Sequence, residues 1–143
     1  MHILEDGLKR LKRNFDFILF DLRPAIDLTV ENALLISSTV VVPVDMDNRA
    51  LKGIDDLLEV IREVKRNTPF VYTTVITKVD KRNTVMQSKI RQSLKDKNYP
   101  VAQSEIRVSE QYKHATASGR PSIHYASNKV KEDYMALTKE ILG

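Results

Sequence analysis

The sequence lacks the residues that mark several common classes of protein. It contains no cysteine, which excludes disulfides, thiolate catalysis and cysteine-ligated zinc. Its three histidines are scattered at positions 2, 114 and 124 and form no metal-binding pattern. No apolar run approaches the roughly 18 residues that a membrane-spanning helix needs. The first 13 residues contain no apolar core before a cleavage site, so we expect no signal peptide, no membrane contact and a cytoplasmic location.

Glycine is also scarce, and its placement excludes a specific kind of site. No two of the four glycines are close together, and none precedes a lysine. The glycine-rich loop whose backbone N–H groups and lysine cradle nucleotide phosphates is therefore absent from this sequence.

Length and charge set the remaining limits. A chain of 143 residues predicts a single domain over 1–143 with a real core. The net charge of +4 permits contact with nucleic acid, and a slightly basic solvated surface explains it equally well.

The apolar residues alternate between two periodicities along the chain. Helical spacing recurs at 3–11, 28–37, 50–66, 85–94 and 130–141, whereas continuous apolar runs at 15–20, 39–44 and 69–77 predict strands, with a short fourth strand at 99–106. Strands that are apolar on both faces and separated by helices indicate a parallel sheet covered on both sides. We therefore expect an α/β fold with a parallel sheet of about four strands flanked by helices.

Three polar stretches follow strands, at 21–24, 45–48 and 77–80. The carboxyl ends of parallel strands share one edge of a sheet, where ligands bind in such folds. An apolar strand that ends in aspartate, as at Asp21, is what nucleoside triphosphatases use to place a carboxylate near Mg²⁺, usually through a water. Strands also end in aspartate for turn chemistry alone, so both interpretations of Asp21 stay open here.

A phosphoacceptor receiver domain is a competing hypothesis, since it would use Asp21, Thr77 and Lys78. Such a domain needs an acidic pair one βα unit before the phosphorylated aspartate. Only 20 residues precede Asp21, and the acidic pair Glu5 and Asp6 falls within the first predicted helix.

A longer comparison identifies a family. The segments FDFILFDLRPAIDLTVENAL, VVVPVDMDNRALKGIDDLLEVIREV, VITKVDKRN, IRVSEQYKHATASGRPSI and KVKEDYMALTKEIL together resemble the ParA/Soj group of chromosome- and plasmid-partitioning ATPases, relatives of MinD. The resemblance covers about residues 9–142 and lies in the order and spacing of the motifs. The positions that carry it are Pro43, Ala50, Leu51, Gly53, Leu58, Arg107, Ser109, Glu110, Tyr112, Ala115 and Gly119.

The resemblance implies a partial deviant-Walker P-loop NTPase fold and a set of site residues. Asp21 would be the Mg²⁺-linked carboxylate, acting through water, of a site for ATP or ADP. Lys78 and Asp80 would lie near the nucleotide base. The residues that would form a basic surface for DNA phosphates are Arg107, Lys113, Arg120, Lys129 and Lys131.

Two departures from the family pattern shape these expectations. The phosphate loop and the acidic switch region before the Asp21 strand are missing, so the chain corresponds to the C-terminal part of a ParA-like ATPase. Arg23 stands where the family usually has proline or a small residue; it would either partly neutralise the Mg²⁺ site or lie on the surface. A sheet without the phosphate-loop strand would expose an apolar edge, which predicts self-association or an N-terminal partner chain.

The resulting expectation is a partitioning protein that segregates plasmids or chromosomes by nucleotide-dependent, non-specific DNA binding with a ParB-like partner. It would not hydrolyse ATP by itself, and whether it is an enzyme at all is left open. The alternatives are a non-catalytic module that binds DNA or a partner protein, and, more remotely, the receiver-like signalling domain.

Overall fold

The computed structural model describes residues 3–11, 14–23, 27–46, 50–66, 68–110, 117–119, 121 and 129–143. The helices and strands in these ranges are α1 (Ile3–Lys9), α2 (Leu28–Ile36), β1 (Thr39–Asp45), α3 (Ala50–Val64), β2 (Val71–Thr77), α4 (Thr84–Asp96) and α5 (Lys129–Leu142). Each of the five helices that the periodicity predicts is present, as are two of the four strands.

Strands β1 and β2 are neighbours in a parallel sheet. The Val71 N–H donates to the Ser38 carbonyl at 3.0 Å near their beginnings, and the Met46 N–H donates to the Thr77 carbonyl at 3.2 Å near their ends. Helix α3 forms the connection between them, as a parallel pair requires. Both strands therefore end at the same edge of the sheet.

The expected fourth strand is reduced to two bridges beside β2. Thr74 pairs in parallel with Val101, and Val79 pairs in parallel with Arg107. Between these two bridges, the segment from Val101 to Arg107 is one residue longer than the stretch from Thr74 to Val79. One extra residue on one of two paired strands is a β-bulge. The Gln103 and Ser104 N–H groups in this bulge donate to the Glu140 carboxylate of α5 at 2.6 and 2.8 Å. Their backbone donors are satisfied without a continuous ladder.

The prediction of a buried strand at 15–20 is wrong for the described chain. Residues 14–23 form no strand, and no backbone hydrogen bond joins them to another described residue. Leu19 is 94% exposed, and Phe15 and Phe17 are more than half exposed. A strand requires a neighbour that completes its inter-strand hydrogen bonds, and an apolar run cannot supply one by itself.

The chain divides into two compact units, one made of residues 1–40 and 56–71 and the other of residues 41–55 and 72–143. In the first unit, the buried side chains come from α2, from α3 and from Lys65, which directly follows α3: Val30, Ala33, Leu34, Leu58, Ile61 and Lys65. In the second unit, Val75, Ala102 and Ile106 form a buried cluster on which Leu137 of α5 packs. No helix in the described ranges is long and apolar enough to cross a membrane.

Lys65 is buried although it has no carboxylate partner among the described residues. Its Nζ donates to the Leu35 carbonyl at 3.1 Å and to the Ser37 carbonyl, both at the end of α2. The ammonium also lies 5.9 Å from the centre of the Phe70 ring. Lys65 therefore caps the carbonyl groups that the last turn of α2 leaves unpaired.

Replacing Lys65 by methionine keeps most of the packing and removes these hydrogen bonds. We expect Lys65→Met to lower the free energy of unfolding by about 1–3 kcal/mol, because two carbonyls lose a charged donor. Urea unfolding followed by circular dichroism measures this, with exposed Arg66→Met as the matched control.

Burial lowers the pKa of Lys65. The unfolded chain thus binds more protons near its ordinary pKa of 10.5, so the wild type should gain stability as the pH rises towards that value.

Candidate functional site

The ends of β1 and β2 bring three polar side chains together. Asp45 ends β1, and its carboxylate accepts a hydrogen bond from the Thr77 hydroxyl at 2.7 Å and another from the Lys78 ammonium. Burial raises the pKa of Asp45, but the hydrogen bonds from Lys78 and Thr77 and the charge of Lys78 outweigh it, so the pKa is lowered. Asp45 is therefore an anion at neutral pH.

The loop after β2 is held on both sides. The Val79 N–H donates to the Ile106 carbonyl, and the Val79 carbonyl accepts from the Val108 N–H, both at 3.0 Å. Lys78 has a φ of 55°, a left-handed conformation in which the chain turns out of the strand. The Asp80 carbonyl accepts from the Asn83 N–H at 3.0 Å and from the side-chain amide of Gln87.

Asp80 carries a carboxylate that Arg82 binds in several ways. Its Oδ1 accepts from the Arg82 backbone N–H at 3.0 Å, and its Oδ2 accepts from Nη2 at 2.7 Å, with Nε at 3.0 and 3.2 Å from the two oxygens. The guanidinium and then the backbone N–H lower the pKa of Asp80 to about 2. The Arg82 side chain is itself 86% exposed, so water reaches this pair.

Removing the guanidinium tests this cause directly. In Arg82→Gln, we expect the pKa of Asp80 to move from about 2 back towards 3.8, since the main cause of the shift is lost. NMR titration of the Asp80 carboxyl carbon measures the change, and Lys81→Gln is the control, because Lys81 makes none of these bonds. The lowered pKa adds stability that is present above pH 3.8 and is lost as the pH falls towards 2. An unchanged pKa in Arg82→Gln would contradict this account.

Asp21, the predicted magnesium ligand, lies in the first unit and is exposed. Nothing among the described residues donates a hydrogen bond to its carboxylate. Arg23, next but one, instead binds Asp27, the N-cap of α2. The Asp27 carboxylate also accepts from the Thr29 and Val30 N–H groups at 2.9 and 3.1 Å. The structure therefore places the Arg23 side chain at the start of α2, where it binds Asp27.

The residues near Asp21 fit a magnesium–nucleotide complex only in part. The described chain contains no group of three histidine, aspartate or glutamate side chains that could hold a metal by itself. Mg²⁺ is often held by one or two carboxylates together with nucleotide phosphates, and Asp21 offers one such carboxylate. Because the sequence has no glycine-rich loop for those phosphates, we derive no hydrolytic step from this chain.

The structure describes three of the five basic residues predicted to contact DNA, and these differ in exposure and in hydrogen bonding. Arg107 is half-buried and donates to Asp133 of α5 from Nε at 2.8 Å and from Nη2 at 2.5 Å. Lys129 and Lys131 are exposed in the first turn of α5. Lys113 and Arg120 lie outside the described residues. The predicted role of this set in DNA binding stays a prediction.

Sequence reasoning assigned no role to the pairing of Asp45 with Thr77 and Lys78. Each residue was placed in a polar stretch after a strand, but their contact required the register of β1 against β2. The signal that could have found it is the adjacency of two strand ends, both followed by charged residues. The sequence analysis also places Asp80 after the end of a strand. Its partner, Arg82, lies two residues further along the same loop.

The comparisons with known proteins agree with this fold. Among solved structures, a Borrelia burgdorferi B31 protein described as a plasmid partition protein, bound to AMPPNP, superimposes with a TM-score of 0.79 at 22% identity. The superposition covers 98% of this chain and 55% of that protein. The fold is that of P-loop NTPases, as the sequence predicts.

The sequence comparisons give the family. A family model described as an AAA domain matches residues 1–73. The sporulation initiation inhibitor protein Soj of Bacillus subtilis (strain 168) is 32% identical, over 96% of this chain and 56% of Soj. The chromosome partitioning protein ParA of Caulobacter vibrioides is 26% identical, over 98% of this chain and 55% of that protein. The chain belongs to the ParA/Soj-type family of partitioning ATPases and spans about half the length of the curated relatives it matches.

Proposed function

We propose that this chain acts in the partitioning of plasmids or chromosomes by binding DNA without sequence preference in a nucleotide-dependent way. The observation that supports this most strongly is the match to Soj along 96% of the chain, at 32% identity. The relatives and neighbours are described as chromosome or plasmid partition proteins. A cytoplasmic protein associated with the nucleoid or a plasmid, with a ParB-like partner, is part of the same proposal.

The nucleotide in this proposal is ATP or ADP with Mg²⁺, as the family implies. Asp21 would bind the ion through water, and residues 78–80 would lie at the base. Hydrolysis by this chain alone is not expected, because no glycine-rich loop is present in the sequence to hold the phosphates. The phosphate-binding half of the site would be supplied by residues outside this sequence, and self-association and an N-terminal partner chain are two ways of supplying it.

Calorimetry with ATP and Mg²⁺ tests the role of Asp21. Micromolar binding that Asp21→Ala abolishes and Asp16→Ala retains would support a magnesium site rebuilt by association. Asp16 is the matched control, because it is an exposed aspartate in the same segment. Absence of binding at every protein concentration would overturn the role of Asp21 and leave DNA and protein partners as the remaining functions.

The DNA-binding part is tested by salt dependence. Lys129 and Lys131 begin α5, whereas Lys139 lies in its last turn. If the first turn contacts phosphates, each of Lys129→Gln and Lys131→Gln should reduce the slope of log affinity against log salt by about 1, because one fewer counterion is released. Fluorescence anisotropy with a labelled duplex of arbitrary sequence measures this, with and without ATP and Mg²⁺. Equal slopes for these variants and Lys139→Gln would contradict the proposed surface.

A non-catalytic binding module is the second candidate. The absence of a glycine-rich loop from the sequence favours it. DNA binding that is salt-sensitive and unaffected by nucleotide would support this candidate over nucleotide-dependent partitioning.

A further inference from the structure

Helix α5 carries two apolar faces. Val130 is buried on the first face, and Leu137 packs from it on the buried cluster of the second unit. Met135 and Leu142 lie on the second face and are 53% and 47% exposed. An α-helix turns by about 100° per residue, so these two side chains lie about 120–140° around the helix from Val130. The packing of α5 within its own unit therefore leaves the second face exposed.

The exposed face has the spacing of a coiled-coil seam. Lys131, Met135, Thr138 and Leu142 follow one another at intervals of four, three and four residues, which is the spacing of successive d, a, d and a positions of a heptad. All four are exposed, and the methylene stem of the lysine adds apolar surface. These four residues are named the α5 seam. Its spacing fits the side chains of a second helix.

The charges beside the α5 seam indicate which helix that is. Glu132 and Lys139 are both e positions of the heptad, on the same side of the seam. The Glu132 side chain is 77% exposed, and no carboxylate among the described residues binds Lys139. In an antiparallel pair of helices, each e position lies beside an e position of the partner. Two copies of α5 would thus pair Glu132 with Lys139 twice, once on each side of a two-fold axis.

A parallel pair of the same helices lacks this match. Parallel helices place each e position beside a g position, and the g positions of α5 are Tyr134 and Ile141, which carry no charge. The charge pattern of the seam is therefore self-complementary only when the two copies run in opposite directions.

We propose that two copies of this chain associate by antiparallel packing of their α5 seams, with two Glu132–Lys139 ion pairs alongside. The helix is already folded against its own unit, so association does not include the cost of helix nucleation. Two heptads with a polar threonine in the seam bury less surface than the roughly 1,200 Å² of a stable interface, so the association is weak and transient. Neither DNA nor nucleotide takes part in this contact, which goes beyond the proposed function.

Sedimentation equilibrium of the full chain, without DNA or nucleotide, tests the seam. We expect a monomer–dimer equilibrium in a concentration series up to about 1 mM. Met135→Lys places a charge within the seam and should raise the Kd of the dimer at least about tenfold. Ala136→Lys is the matched control, since the neighbouring exposed Ala136 lies outside the seam, and it should leave the Kd unchanged. A chain that stays monomeric, which would leave the seam to a helix of another protein, would overturn the proposal, as would equal Kd values for the two variants.

Exchanging the charges gives a test that misfolding cannot imitate. Glu132→Lys and Lys139→Glu each bring like charges together across the two-fold axis, so each variant alone should dimerise about tenfold more weakly than the wild type. An equimolar mixture of the two variants restores both ion pairs, and it should form a heterodimer at least as tight as the wild-type dimer. Glu132 also lies 4.0 Å from the Arg107 guanidinium, but loss of that contact cannot produce a gain of affinity on mixing. No gain on mixing would contradict the proposed pairing.

Disulfide trapping tests the direction of the two helices. The chain contains no cysteine, so an introduced cysteine reports only on its own position. Antiparallel seams place an a position beside a d position of the partner. A mixture of Met135→Cys and Thr138→Cys should therefore form a disulfide faster than either variant does with itself. Faster linking of Met135→Cys to itself would indicate a parallel pair and overturn the antiparallel arrangement.

These outcomes are separate from those of the proposed function. Heterodimers of the two charge variants, in a chain that never binds DNA, would support association through α5 and overturn partitioning by DNA binding. DNA binding that ATP promotes, together with charge variants that do not associate on mixing, would support partitioning and overturn association through α5.

Discussion

Replacing Leu58 by alanine is expected to lower the free energy of unfolding by about 2–5 kcal/mol, the range for truncating a buried leucine. Leu58 lies on α3 and is 1% exposed. The loss has two parts, the burial energy of the removed methyl groups and the cavity that the surrounding side chains do not fill. Urea unfolding followed by circular dichroism gives the change, with the midpoint and the slope fitted separately.

Leu28 provides the matched control for this substitution. It belongs to the same unit and is a leucine on a helix, but it is 73% exposed. Leu28→Ala should change the free energy of unfolding by less than about 0.5 kcal/mol. A cost for Leu58→Ala as small as that of Leu28→Ala would show that α3 does not bury this face in solution.

Replacing Asp133 by alanine is expected to cost about 2–4 kcal/mol, because a half-buried guanidinium loses a bidentate carboxylate. The Asp133 side chain is 11% exposed, and it accepts from the Arg107 backbone N–H at 3.1 Å as well as from the guanidinium. Nη2 of Arg107 also donates to the Lys129 carbonyl at 2.9 Å. The pair therefore connects Arg107, in the segment that bridges to β2, with the beginning of α5.

The adjacent carboxylate is a strict control for Asp133. Glu132 lies 4.0 Å from the same guanidinium and its side chain is 77% exposed, so Glu132→Ala should cost less than about 0.5 kcal/mol. Burial raises the pKa of Asp133, and hydrogen bonds and charge from Arg107 outweigh this and lower it below 3.8. The wild type should therefore lose this stability as the pH falls below 3.8, and Asp133→Ala should lack that loss. Similar costs for the two alanine variants would contradict the assigned pairing.

The pairing of Arg107 with Asp133 also bears on DNA binding. A guanidinium held by Asp133 cannot donate the same N–H groups to a phosphate. If Arg107 contributes to DNA binding, it does so by placing Lys129 and Lys131 at the start of α5. Measuring DNA affinity in Asp133→Ala and Lys129→Gln together would show whether the two effects are coupled.

The helices were predictable because their information is local. The three- and four-residue spacing of apolar side chains in α3 requires no knowledge of a partner element. The cap at Asp27 likewise involves residues within three positions of it. At the end of α4, Asn98 adopts a φ of 53°, and the Tyr99 N–H returns to the Leu94 carbonyl at 3.1 Å, a helix end that asparagine tolerates.

The strands were less predictable because a strand is completed by its neighbour. The apolar runs at 39–44 and 69–77 pair with each other and form β1 and β2. The run at 15–20 has the same apolar character, but it has no paired strand in the described chain. The segment at 99–106 pairs at two points and bulges between them, since Glu140 from α5 binds the intervening N–H groups. None of these outcomes is encoded in the apolar pattern of the run itself.

The candidate site divides in the same way. Sequence order placed Lys78 and Asp80 after a strand and pointed to the family, and the comparisons confirm the family. The contact of Lys78 with Asp45, and the pairing of Arg107 with Asp133, join residues 33 and 26 positions apart. Such contacts depend on register and on how elements pack, so sequence reasoning could name the residues without naming their partners.

By itself, the sequence determined the positions of the helices, the α/β class and the family, because these follow from local periodicity, composition and the order of motifs. The tertiary structure decided which apolar runs become strands, that Arg23 binds Asp27, the N-cap of α2, and that Asp80 faces a two-donor partner from a fixed loop. The physical reason is that hydrogen-bond partners and burial are properties of pairs of segments, and a segment acquires them only when the chain brings its partner beside it.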